Sequence, residues 1–247
     1  NILIEAAPRE SERAQLRALI REAGGTGIIY CGSRAKTEST AAWLREDGLE
    51  AISFHAGMEA SAKREAHRRF SRGEQMVMTA TIAFGMGIDR PDLRWVAHLD
   101  LPRSPESWYQ EIGRAGRDGL PARALLLYGA GDIALARHRI AESPAGEEQK
   151  RVERARLEAM VGIAEAATCR RALLLRCFGE EPEREACGHC DICQRPPRLF
   201  DGTIAAQKMI SAVLRTGQRF GVMYVVDVLR GRLTDKVAQF SHDKLPT

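Results

Sequence analysis

Over residues 1–140 the chain alternates between two hydrophobic periods. Short, nearly continuous apolar runs occur at Ile2–Ile4, Gly27–Cys31, Ala51–Phe54, Gln75–Thr79, Trp95–Leu99 and Ala124–Tyr128. Their β-branched, apolar character predicts strands buried on both faces. Amphipathic stretches with helix punctuation separate most of them. Ser33 and Ser61 are predicted N-caps, since a hydroxyl accepts a hydrogen bond from the first turn, and Gly48 and Gly73 stand where helices should stop. Alternation of this kind predicts an α/β fold, a mostly parallel sheet with helices on both faces. Such sheets bind ligands at the carboxyl ends of their strands.

The pattern changes at Ser143-Pro-Ala-Gly146, which reads as a linker. From Glu147 to Phe178 only helical spacing remains (Val152, Leu157, Met160, Ile163), interrupted by a predicted cap at Thr168. Pro196-Pro197 forms a second boundary, followed by predicted helices at Thr203–Leu214 and Val222–Leu229. The expected domains are therefore 1–142, 143–197 and 198–247. The first residue is Asn1, not Met, and a strand-like run begins at once, so a piece of a longer protein is expected.

With 247 residues and 44% apolar side chains, the chain can build a real core. This composition excludes a disordered tail, a collagen-like repeat and a disulfide scaffold. No apolar run approaches the roughly 18 to 20 residues of a membrane helix, and no secretion signal is present, so a cytoplasmic location is expected, nucleoid-associated in a bacterium. The net charge is only +4, but its distribution is uneven. Residues 198–247 carry 8 basic and 4 acidic side chains, which favours a polyanion near that end. Arg215 and Arg219 are expected in the turn between the last two helices, beside a helix N-terminus, where they could hold a duplex phosphate. The alternative is a basic surface that only aids solubility.

Candidate chemistry gathers in four places. Cys187, Cys190 and Cys193 are spaced C-x2-C-x2-C, with Cys169 upstream in a predicted first helical turn that favours its thiolate. Four thiolates suit a structural zinc; an iron–sulfur cluster uses the same donors, and a set of buried or paired cysteines is the bland alternative. His189 could replace one cysteine but is expected to point outward, and Cys31 and Cys177 are expected to be packing residues. After Ser104-Pro105, a predicted helix carries Gln110, Arg114 and Arg117 at i, i+4 and i+7, one face suited to gripping phosphate, with Gly113 and Gly116 allowing close approach. Thr79 to Asp89 runs from a strand into a Gly-containing loop: Thr81 and loop N–H groups could take a phosphate, and Asp89 a ribose hydroxyl. Gly32-Ser33-Arg34 opens a helix as an anion site, and His55-Ala-Gly57 follows another strand.

In this order the motifs resemble the second motor lobe of superfamily 2 helicases, and specifically the RecQ family of DNA helicases. Ile28 to Arg34 resembles motif IV, Phe54 to Gly57 the turn that follows, Thr79 to Asp89 motif V, and Gln110 to Gly119 motif VI. Cys169-Arg-Arg, Phe178-Gly-Glu and the cysteine triplet resemble the RecQ zinc-binding domain, and Phe200-Asp-Gly with Arg219-Phe-Gly the start of its winged helix. The fold implied is a RecA-like lobe, a helical zinc-binding domain and a partial winged helix. The activity implied is ATP-dependent 3′–5′ unwinding of DNA in recombination and repair. The resemblance implies catalytic roles for Arg117 as arginine finger, Arg114 and Gln110, and nucleotide contacts by Gly87, Asp89 and both arginines. It implies single-strand contacts by Ser33, Arg34, His55 and Thr81, structural Zn2+ on the four cysteines, and ATP with Mg2+ in the intact enzyme. The sequence holds neither G-x-x-x-x-G-K-[ST] nor a D-E-x-H box, so this chain alone is expected to be inactive and to need a first motor lobe. Two alternatives remain: a zinc and winged-helix DNA-binding module without ATPase activity, and a zinc-containing transcription regulator.

Overall fold

The computed structural model describes residues 1–81 and 90–245. Side chains alternate across each strand, which divides the apolar groups between two faces of one sheet. In β2 (Thr26–Tyr30), Ile28 and Tyr30 pack with Ala66 and Phe70 of a helix on one face. Ile29, with Cys31 just beyond, packs on the other face with Leu16, Leu19, Ala41 and Leu44. The remaining strands are β1 (Ile2–Pro8), β3 (Ala51–Phe54), β4 (Val77–Ala80), β5 (Leu93–His98) and β6 (Ala122–Tyr128). Their order is β1-β6-β5-β2-β4-β3, and every neighbouring pair is parallel. Parallel neighbours need crossovers, and α1 (Glu12–Ala23), α2 (Arg34–Glu46), α3 (Ala60–Ser71) and α4 (Pro105–Ile112) supply helices on both faces. Gly27 has a packing reason: a Cβ there would lie 2.1 Å from the Trp95 indole.

The chain divides into two compact units, Asn1–Pro197 and Arg198–Thr247. In the first, α5 (Ala130–Ala141), α6 (Glu147–Ala164), α7 (Arg170–Cys177) and the short α8 (Asp191–Gln194) follow the sheet. Met160, Ile163, Ala172 and Leu174 share a core with Ile4, Ala124 and Leu126 of the strands. The second holds α9 (Thr203–Arg215), α10 (Val222–Leu229) and α11 (Asp235–Gln239); Tyr224 and Val228 of α10 form a small core with Val237 of α11. No helix among the described residues is long and apolar enough to cross a membrane.

Three local expectations are corrected. Ser33 caps α2 by accepting from Lys36 N at 3.2 Å, but Ser61 lies inside α3, whose N-cap is Glu59. Thr168 does not cap α7; Cys169 does, its sulfur accepting from Ala172 N. The helix after Ser104 stops at Ile112, so Arg114 and Arg117 lie in turns and do not share a helical face with Gln110. Gly116 takes φ +62°, and a Cβ on it would meet Leu120 O at 2.9 Å, so this glycine serves the turn of its own chain.

Candidate functional site

Loops at the carboxyl ends of β2, β4 and β5 enclose an open cleft of about 500 Å³. Ser33, Arg34 and Thr81 all line it, so three of the four expected strand contacts converge. Ser33 stands there because it caps α2; Arg34 follows it and lies across the bare face of Gly57. Thr81 is fixed by its N–H donating to Phe54 O at 3.2 Å. His55 is only 5% exposed, and its Nε2 is 2.8 Å from Glu38 Oε1, which holds the ring in the turn after β3. Asp100 fixes the cleft wall by accepting from Gly32 N at 2.7 Å and from Lys36 Nζ at 3.2 Å, contacts that sequence reading missed. Gly87 and Asp89 lie outside the described residues.

The floor of the cleft is a buried polar cluster. Tyr30 stacks on His98 with ring centroids 5.1 Å apart, and His98 Nε2 is 2.7 Å from Glu111 Oε2. Arg114 hydrogen-bonds the Tyr30 hydroxyl; burial, aided by Glu111, still holds that phenol well above its usual range, so it stays protonated. Arg114 is therefore engaged with the floor of the cleft, whereas Gln110 and Arg117 are exposed. The segment carrying Arg117 is anchored beside β5 by Gly116 N donating to Leu93 O at 2.9 Å, and by Arg94 holding Asp118. That ion pair keeps the Asp118 carboxyl below the usual carboxylate range.

The sulfurs of Cys169, Cys187, Cys190 and Cys193 lie within 4.8 Å of one another. Zinc–sulfur bonds of about 2.3 Å in a tetrahedron put sulfurs about 3.8 Å apart, and Cys187 and Cys193 are at 3.9 Å. So tight a set fits one ion; an iron–sulfur cluster needs its ligands spread around a larger body. Burial opposes ionisation of Cys169, yet N–H groups of Ala172 and Cys187 aimed at its sulfur bring the thiol down to about 7. Burial pushes Cys187 up to about 12, aided by its neighbouring sulfurs. Four thiolates at this spacing need a dication. His189 is not among the four; its Nε2 is enclosed rather than pointing outward. Cys177 is exposed, not a packing residue, while Cys31 is buried as expected.

Sequence reading also missed the clamp behind this centre. Arg170, next to Cys169, donates to both oxygens of Asp191, next to Cys190, at 2.7 and 3.0 Å. The same guanidinium reaches the Ile163, Ala164 and Ala6 carbonyls, while Asp191 accepts from Ala6 N at 3.1 Å. The signal available was the Cys-Arg and Cys-Asp adjacency.

In the second unit, Arg215 closes α9 and so precedes the turn in which it was expected. Arg219 does lie in that turn, its guanidinium 5.3 Å from the ring centroids of both Phe220 and Phe240.

Family models match the chain in three consecutive stretches: the helicase conserved C-terminal domain over residues 11–119, RecQ zinc-binding over 130–194, and the RQC domain over 196–247. The chain is 47% identical over 229 residues to an "ATP-dependent DNA helicase RecQ" of Pasteurella multocida, covering 93% of this chain and 36% of the relative. It is 47% identical to the protein of that name from Haemophilus influenzae (93% and 37%) and 37% identical to that from Bacillus subtilis (90% and 37%). The chain thus spans little more than a third of the length of these relatives.

Proposed function

Because this chain belongs to the RecQ helicase family, we propose that it is the second motor lobe, structural zinc domain and duplex-binding start of an ATP-dependent 3′–5′ DNA helicase. The observation that carries the reading is the convergence of Ser33, Arg34 and Thr81 on one cleft at the carboxyl edge of the sheet. A serine hydroxyl, the N–H groups opening α2, a guanidinium and a threonine hydroxyl are donors suited to the phosphates of a single DNA strand. His55 positions the turn beneath them. In this reading the domains are 1–142, 143–197 and 198–247, and a first motor lobe supplies the phosphate loop.

ATP with Mg2+ supplies the phosphoryl-transfer chemistry between the two lobes. This chain contributes Arg117, an exposed cation on an anchored turn, as the finger that offsets charge in the transition state. Gln110 stands on the last turn of the preceding helix as a further polar contact, and Gly87 and Asp89 contact the nucleotide. Arg114, held to Tyr30, acts as the link between this turn and the DNA cleft. Cleft closure around nucleotide thereby moves the strand. Zinc on the four cysteines fixes the helical domain. Arg215 and Arg219 hold duplex phosphates, with Arg219 oriented by its two aromatic neighbours.

The test compares two variants in a helicase carrying both lobes. Arg117→Ala should keep nucleotide affinity and reduce DNA-stimulated turnover by about 10³-fold or more. Arg34→Ala should weaken single-strand binding and leave DNA-independent turnover intact. Turnover within a few-fold of the parent for Arg117→Ala, or unchanged strand affinity for Arg34→Ala, would refute the corresponding assignment.

A further inference from the structure

The cleft does not end at Thr81. A second hollow of about 460 Å³ adjoins it and shares Leu101, Pro102, Arg103, Ala136 and Arg139 with it. This hollow runs between the start of α4 and the facing sides of α5 and α6, as far as Ser143 and Arg156. Both volumes fall within the range of about 300–1,000 Å³ found for ligand sites.

The arginines along this groove differ from their neighbours. On α5 and α6, Arg137 pairs with Glu158, Arg151 with Glu148, and Lys150 and Arg154 with Glu147. Arg139 and Arg156 are the arginines of these helices that line the groove, and neither forms a hydrogen bond or ion pair among the described residues. Arg156 influences the nearby Glu106 only through space. Arg103, on the loop before α4, is likewise exposed and without such a partner among the described residues. One carboxylate, Glu153, also lines the hollow, and it accepts from Gln149 at 3.0 Å. The local balance stays positive.

The chemistry of the walls limits what can lie here. Leu101, Ile140 and Leu157 form apolar stretches between the cations, and no aromatic ring lines the hollow among the described residues. Bases would find no stacking platform, so recognition falls on an extended polyanion's backbone and is indifferent to sequence. We propose that a single DNA strand occupying the Ser33–Arg34–Thr81 cleft continues along this groove, its phosphates held by Arg103, Arg139 and Arg156. This rests on the reading of the cleft given above and extends it from a local contact to a track that reaches the helical region.

The experiment measures binding of the whole chain to oligothymidylates of about 6 and about 20 nucleotides across a salt series. Three single-strand phosphate contacts correspond to about 2 in the slope of log affinity against log salt. Replacing Arg103, Arg139 and Arg156 together by Ala should reduce that slope by about 2, so that the loss of long-strand affinity is about 100-fold greater at about 0.1 M than at about 1 M salt. The short strand should change less than twofold, and replacing the same three by Lys should restore the slope. Unchanged long-strand affinity in the Ala variant, with Arg34→Ala still weakening it, would overturn the track and leave the cleft reading standing. No effect from either variant would overturn both. Equal losses on both lengths would also overturn the track.

Discussion

Arg170→Ala tests the clamp behind the cysteine cluster. The guanidinium side chain is only 4% exposed and makes two bonds to Asp191 and three to backbone carbonyls. Ile163 and Ala164 end α6, so Arg170 also places positive charge at the negative pole of that helix. Removing one partner of a buried ion pair costs about 3–5 kcal/mol, because the other charge stays behind unpaired. The helix-end contribution is about 0.5 kcal/mol, for a total of about 4 kcal/mol. With a urea dependence of about 2 kcal/mol per molar, the midpoint should fall by about 2 M. Trp43, Trp95 and Trp108 all lie in the first unit, so tryptophan fluorescence reports its unfolding alone. Arg170→Met with Asp191→Asn should recover about half the loss, since it removes the stranded charge and keeps an acceptor for Ala6 N. A midpoint shift below about 0.5 M for Arg170→Ala, with zinc retained, would refute the clamp.

Elemental analysis should find one zinc per chain, lost together with the fold of the helical region in Cys187→Ser and retained in Cys177→Ser; iron or a visible charge-transfer band would contradict the assignment. Acid stability should depend on Asp92, whose carboxyl is held below the usual carboxylate range, chiefly by its hydrogen bond from the buried Arg90. A folded-state pKa below the unfolded value contributes stability above about pH 4 that is lost as pH falls through the lowered folded value. Asp92→Asn should therefore flatten the stability profile between about pH 4 and 2, and an unchanged profile would exclude this carboxylate as a source of the acid dependence.

Local chemistry made the sheet legible. Runs such as Ala51–Phe54 are mostly apolar, and the structure places a strand on those same residues. The loops after β2 and β4 were sought on the same grounds, and they do bring Ser33, Arg34 and Thr81 together. What failed depended on contacts remote in sequence. Gln110, Arg114 and Arg117 have helical spacing, but Gly113 ends the helix and Gly116 must turn with positive φ where Asn1, 115 residues away, donates to its carbonyl. Thr168 is the expected cap, but the sulfur of Cys169, one residue on, accepts from Ala172 N in its place. The partner that holds His55, Glu38, likewise comes from another element, and the spacing of the two residues gives no sign of it. Arg170 and Asp191 are 21 residues apart and meet at a strand from the start of the chain.

β1 is an outermost strand, with β6 as its neighbour on one side. Its other side would present unpaired backbone groups, a template onto which a strand of any other chain could add. Here Cys190 bridges Ile4, Asp191 takes the N–H of Ala6, and Arg170 and Arg171 take the carbonyls of Ala6 and Ile2. The metal loop thus serves as a lid on the sheet's open side. Stripping the metal should loosen that lid before the sheet itself melts, and the exposed strand would then seek its partner in another molecule. Metal-free protein should fail by association, at a rate that rises with protein concentration, and zinc should prevent this only if added before neighbouring chains have paired.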